Sequence, residues 1–83
     1  MAHFLVLTKR LAPMADAVLM AHRAYLADLK QKDIAQFYGG FKDASGGAIL
    51  YEASTEAEAQ ELVTNDPLYK AGTSEFVIKE WMI

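Results

Sequence analysis

Residues 14–30 read MADAVLMAHRAYLADLK. Val18, His22, Tyr25 and Leu29 recur there at steps of four, three and four, a spacing that puts all four on one face of an α-helix. The reading is a helix from Met14 to Lys30 with an ionisable ring inside its buried stripe. Short apolar runs flank it on both sides, so the helix alternates with strands, and the order of those strands sets the fold.

Before the helix, His3 to Lys9 is short and apolar, which predicts a first strand. Pro13 suits a first helical turn, where a missing N–H costs little, and Asp16 complements the positive helix end. The helix closes in the polar patch Lys30 to Asp33. Ile34 to Phe41 predicts a second strand whose Gly39-Gly40 pair suggests a bulge or a close backbone approach. Asp43, Ser45 and Gly46-Gly47 make Lys42 to Gly47 a turn, and Ala48 to Ala53 a third strand that closes a hairpin. Thr55 with Glu58 three residues on has the capping-box spacing, which opens a second helix running to about Asn65. Asp66-Pro67 starts a short turn that ends at Gly72, and Ser74 to Met82 is the fourth strand. The order β-α-β-β-α-β predicts an α+β, ferredoxin-like domain over residues 1–83: a four-stranded antiparallel sheet with two helices on one face.

Composition narrows the function. Eighty-three residues without cysteine make one small domain with no disulfide framework, thiol catalysis or thiolate metal site; a reducing, cytoplasmic setting fits. The net charge of -3 arises from interspersed signs, with no basic run to neutralise successive phosphates, so nucleic acid is not an expected partner. The apolar run Phe4 to Leu7 is too short for a membrane span, and no membrane partner is expected. Both parities of the strands are apolar: Leu5 and Leu7 against Phe4 and Val6, Leu50 against Ile49 and Tyr51, Val77 and Trp81 against Phe76 and Ile78. The sheet face away from the helices would then expose on the order of 500 Å² of such side chains, comparable to the largest patches monomers tolerate. Covering it releases ~12 kcal/mol gross per subunit, of the same order as the ~4–15 kcal/mol that association costs. A homodimer packed through the open sheet face is the expected assembly, with higher oligomers left open.

The pattern resembles the YciI-like family of small dimeric α+β barrel proteins, relatives by fold of muconolactone isomerase. The likeness rests on His3-Phe4-Leu5-Val6-Leu7, His22-Arg23-Ala24-Tyr25-Leu26, Gly40-Phe41-Lys42-Asp43 with Gly46-Gly47, Glu58-Ala59, and Asp66-Pro67-Leu68-Tyr69-Lys70-Ala71-Gly72. It spans nearly the whole chain. The resemblance implies dimerisation through the sheets and an active site in which His22 pairs with Asp66. It also implies cofactor-free chemistry on a small cyclic or aromatic metabolite, of the lyase, dehydrochlorinase or isomerase type. Two positions depart from the family pattern. Leu19 stands where many members have an arginine three residues before the histidine, and Gly40-Phe41 replaces a Gly-Pro. If that arginine grips an anionic group, its loss points to a neutral, more apolar ligand or to lost activity.

Simpler readings stand beside these. A histidine held against a carboxylate exchanges a proton near neutral pH, but His22 could equally be a core histidine bonded to a backbone carbonyl. Asp66, preceding Pro67, is well placed to cap the following turn, and one aspartate can do both. Tyr25, Phe37, Gly40 and Tyr69 are the residues expected to bind substrate, though such aromatic residues also serve as core or dimer contact. Neither glycine pair opens a helix, which excludes a phosphate loop. No metal site is expected, since neither His3 nor His22 has carboxylates at ligand spacing. No cofactor is expected; haem ligation by His22 is the one alternative, disfavoured because so short a chain offers little to wrap the macrocycle. An acid/base enzyme, a small-molecule-binding dimer and an accessory interaction module all remain open at this level.

Overall fold

The side-chain alternation of the two central strands sets the layers. In β1 (Ala2–Arg10) Phe4, Val6 and Thr8 are buried, with half-buried His3, Leu5 and Leu7 between them. In β3 (Gly46–Ala53) Gly47, Ile49, Tyr51 and Ala53 are buried in the same rhythm. These strands pair antiparallel, Phe4 opposite Tyr51 and Val6 opposite Ile49, so one face of the sheet becomes core. The computed structural model, which describes all of residues 1–83, adds β2 (Ala35–Gly40) and β4 (Ser74–Trp81) as edges, in the order β2-β3-β1-β4, antiparallel throughout. This is the expected ferredoxin-like α+β fold.

The helices α1 (Asp16–Gln31), α2 (Glu56–Thr64) and α3 (Pro67–Ala71) connect these strands. Leu26 and Leu29 of α1 and Val63 of α2 join Val6, Ala35, Ile49 and Tyr51 in one core cluster, while Ala59 of α2 packs with Phe4 and Ala53 in a second. Thr55 caps α2 as its spacing predicts, its hydroxyl accepting from the Glu58 N–H at 3.2 Å.

Four local expectations are corrected. The first helix begins at Asp16, with Ala15 extended at φ -65, ψ 145, so Pro13 and Met14 precede it. The Leu11 and Ala12 N–H groups donate to the Thr73 carbonyl at 2.9 and 3.3 Å, which holds the chain along the sheet end before it can coil. The segment after Asp66 is a third, five-residue helix and not merely a turn. The strand irregularity in β2 lies between Ala35 and Phe37, not at Gly39-Gly40. Gly46 and Gly47 belong to β3 and not to the preceding turn, and the close backbone approach is theirs. A Cβ on Gly46 would sit 1.8 Å from the Thr8 carbonyl oxygen, and one on Gly47 2.5 Å from that of Gly39, whereas a Cβ on Gly39 meets nothing within 4 Å.

Candidate active site

Asp66 is the best-tied side chain of the site. It is the N-cap of α3, extended at φ -69, ψ 128, and its Oδ1 accepts from the Leu68 N–H at 2.9 Å. Pro67 fills the first helical position, where its fixed φ is already helical. Gly72 ends the helix in the left-handed region at φ 72, its N–H donating to the Tyr69 carbonyl, a conformation that costs glycine little. The sequence Asp-Pro-Leu-Tyr-Lys-Ala-Gly is thus a self-terminating helical turn whose local chemistry fixes the orientation of one carboxylate.

That carboxylate meets His22. Nδ1 of the ring lies 2.7 Å from Oδ1 and 2.9 Å from Oδ2, with Asp66 fully buried and the His22 side chain 14 % exposed. An ionised carboxylate only accepts, so Nδ1 carries the proton and donates. In the neutral ring the lone pair is then on Nε2, which has no protein partner. The pair is a histidine oriented by a buried anion, with its free nitrogen acting as acceptor.

Two tyrosines feel the charge of the carboxylate. Tyr25 donates its hydroxyl to the Leu62 carbonyl at 2.6 Å, and its pKa is raised by burial and then by the charge of Asp66. Tyr51, fully buried in the core, is pushed up much further by burial, then by Asp66 and Tyr25. Both phenols stay protonated at neutral pH.

His22 opens on a cavity of about 440 Å³, bounded by α1, the ends of β1 and β3, and the β2–β3 turn. Gly40 lines it, as do Leu19 and Phe41, the two departures from the family pattern. The other residues expected to bind substrate lie elsewhere. Tyr25 points to Leu62 behind the pair, and Tyr69 packs edge-on against Phe76 at 5.6 Å between centroids. Phe37 is 72 % exposed with the Lys30 ammonium 5.7 Å from its ring centre. It lines a different hollow, about 560 Å³, with Leu5, Leu50, Trp81 and Ile83 on the sheet face opposite the helices. Sequence reasoning missed Arg10 and Arg23, both in the wall of the His22 cavity, where Tyr38 also lies. Arg23 carried a signal, being next to His22. Arg10 carried none, since only the β1–β3 pairing brings the end of β1 there.

A family model, the YCII-related domain, matches residues 1–82. The chain belongs to this family. Within the YCII-related proteins it is 36 % identical over 80 residues to a Bacillus subtilis (strain 168) protein named uncharacterized protein YjpA, covering 96 % of this chain and 94 % of that one. Among solved structures it is similar to 5-chloro-2-hydroxyhydroquinone dehydrochlorinase (TftG) from Burkholderia phenoliruptrix AC1100 in complex with 2,5-dihydroxybenzoquinone. That likeness has a TM-score of 0.71 and 27 % identity, over 96 % of this chain and 93 % of the other. The YCII-related fold expected from the residue pattern is therefore the fold observed. No helix is long and apolar enough to cross a membrane.

Proposed function

We propose that this protein is a cofactor-independent acid/base enzyme, a lyase of the dehydrochlorinase type or an isomerase, acting on a small cyclic or aromatic metabolite through His22 and Asp66. One observation carries the reading: the buried Asp66 carboxylate holds the Nδ1–H of His22 and leaves Nε2 as the acceptor at a cavity of a size suited to one small ring. The likeness to a named dehydrochlorinase supports the reaction class.

In the elimination the hydroxyquinol ring reacts as its diketo tautomer: Nε2 takes a proton from a carbon next to a carbonyl, and the C–H electron pair forms the new C=C bond. The leaving group on the neighbouring carbon departs with its own bonding pair, as chloride in a dehydrochlorination. In the isomerisation no group leaves, and the imidazolium returns the proton to a different carbon. Either way Asp66 stabilises the imidazolium formed in between, and the proton transfer by His22 is worth ~10²–10⁴-fold in such reactions. The working unit is proposed to be a homodimer, in which a second copy covers the apolar sheet face carrying Leu5, Phe37, Leu50 and Trp81.

The test is chloride release from 5-chloro-2-hydroxyhydroquinone and related chlorinated hydroxyquinols, together with proton exchange into cyclic enones and lactones. His22→Gln is expected to keep the wild-type melting profile and to lose roughly 10²-fold or more of turnover; undiminished turnover overturns the proposal. A wild-type protein that binds these compounds and returns them unchanged would instead be a binding module.

A further inference from the structure

Arg10 and Arg23, both solvent-exposed, are the residues of fixed charge lining the His22 cavity, and no aspartate or glutamate lines it. This is notable in a chain whose net charge is -3. Neither arginine is neutralised: the ion pairs of the fold are His3–Glu52, His22–Asp66 and Lys32–Asp28. Asp66, the carboxylate bonded to His22, is fully buried and already accepts from His22 and Leu68. The two guanidiniums come from different elements, Arg10 from the end of β1 opposite Ser74 and Arg23 from α1 beside His22. Ser74 lines the same wall and adds a hydroxyl.

We infer that the cavity selects a ring-bearing organic acid in its anionic form, gripped by Arg10 and Arg23 while His22 works on the ring. This deepens the acid/base reading and rests on it for the role of His22. Guanidinium is charged at every accessible pH and presents paired donors that match the two oxygens of a carboxylate or of an acidic enolate. An anion held at the arginine side sets the ring in the apolar part of the cavity formed by Met14, Leu19, Leu26 and Phe41. Leu19, where an arginine would otherwise stand three residues before the histidine, thus does not leave the site without cations. Two arginines at other positions supply the charge, and Leu19 supplies apolar wall.

The test compares benzoate with benzamide, which has nearly the same shape and no charge, by NMR titration of the labelled full chain. Wild type is expected to bind benzoate roughly tenfold tighter, with a preference that weakens as salt is added. Arg10→Gln and Arg23→Gln are each expected to lose about threefold of benzoate affinity and none for benzamide, and the double variant to lose the preference. Equal binding of the two probes overturns the inference. So does an undiminished preference in the double variant, or no binding of benzoate at tens of millimolar. His22→Gln keeps both arginines and is expected to keep the preference. If its turnover survives, the acid/base reading fails while the anion site stands; if turnover is lost and the preference is absent, only the anion site fails.

Discussion

Tyr51 is the residue at which packing and electrostatics pull hardest against each other. Its ring fills the core between β3 and α1, yet its hydroxyl is buried and makes no hydrogen bond within the protein. Tyr51→Phe removes that polar atom and keeps the ring, so it is expected to leave stability unchanged or raise it by about 1 kcal/mol, read from the urea midpoint at pH 7. The same residue makes the fold alkali-sensitive. An unfolded tyrosine releases its proton near 10.0, while folded Tyr51 and Tyr25 are both held above that value by burial and by Asp66. Above about pH 10 the folded state keeps protons that the unfolded state has lost. Stability is therefore complete below that pH and falls as pH rises, by up to about 1.4 kcal/mol per pH unit for the buried Tyr51, with the more solvent-screened Tyr25 adding less. Urea midpoints between pH 8 and 11 should show this fall, and Tyr51→Phe should reduce its slope. An equal slope in the variant would mean that Tyr51 is not the group responsible.

The elements depend on two local devices, a cap and a close approach. Asp66 caps α3 and orients His22 at once. Asn at this position can still cap but carries no charge, whereas Ala does neither. Asp66→Asn is thus expected to fold about 1 kcal/mol more stably than Asp66→Ala, while both lose turnover; equal stabilities would mean that the cap contributes nothing. In the sheet, Gly46→Ala must push β3 away from β1, because its Cβ would meet the Thr8 backbone oxygen at 1.8 Å. A loss of about 3 kcal/mol or more is expected. Gly39→Ala meets nothing within 4 Å and should stay within about 0.5 kcal/mol of wild type. Chemical denaturation of the two variants side by side separates them, and similar losses would contradict the register of β1 with β3.

At the scale of the molecule the proposed assembly rests on the exposed sheet face. Phe37 and Trp81 are exposed there, with Leu5 and Leu50 half-buried beside them. This apolar surface is what the proposed second copy would cover. Sedimentation velocity is expected to give twice the 9.2 kDa chain mass for wild type and the single mass for Leu50→Arg. A wild type that sediments as a monomer at micromolar concentration rejects the dimer.

The order of the four strands and the two longer helices was determined by the sequence alone, because hydrophobic periodicity and the Thr55–Glu58 spacing are local signals acting within a few residues. So was the placement of His22 on the buried face of its helix. The Asp66-Pro67 to Gly72 segment, by contrast, reads as a turn and is a short third helix. The remaining features come from residues far apart in the chain, which only packing brings together. His22 and Asp66 meet across 44 positions because α1 and α3 pack side by side. The tight glycines are Gly46 and Gly47, set by the pairing of β3 with strands on either side. Arg10 reaches the cavity of His22 because β1 runs beside β3 and ends there. Periodicity fixes which face of an element is buried, but the partner of that face is set by packing, which no local pattern encodes.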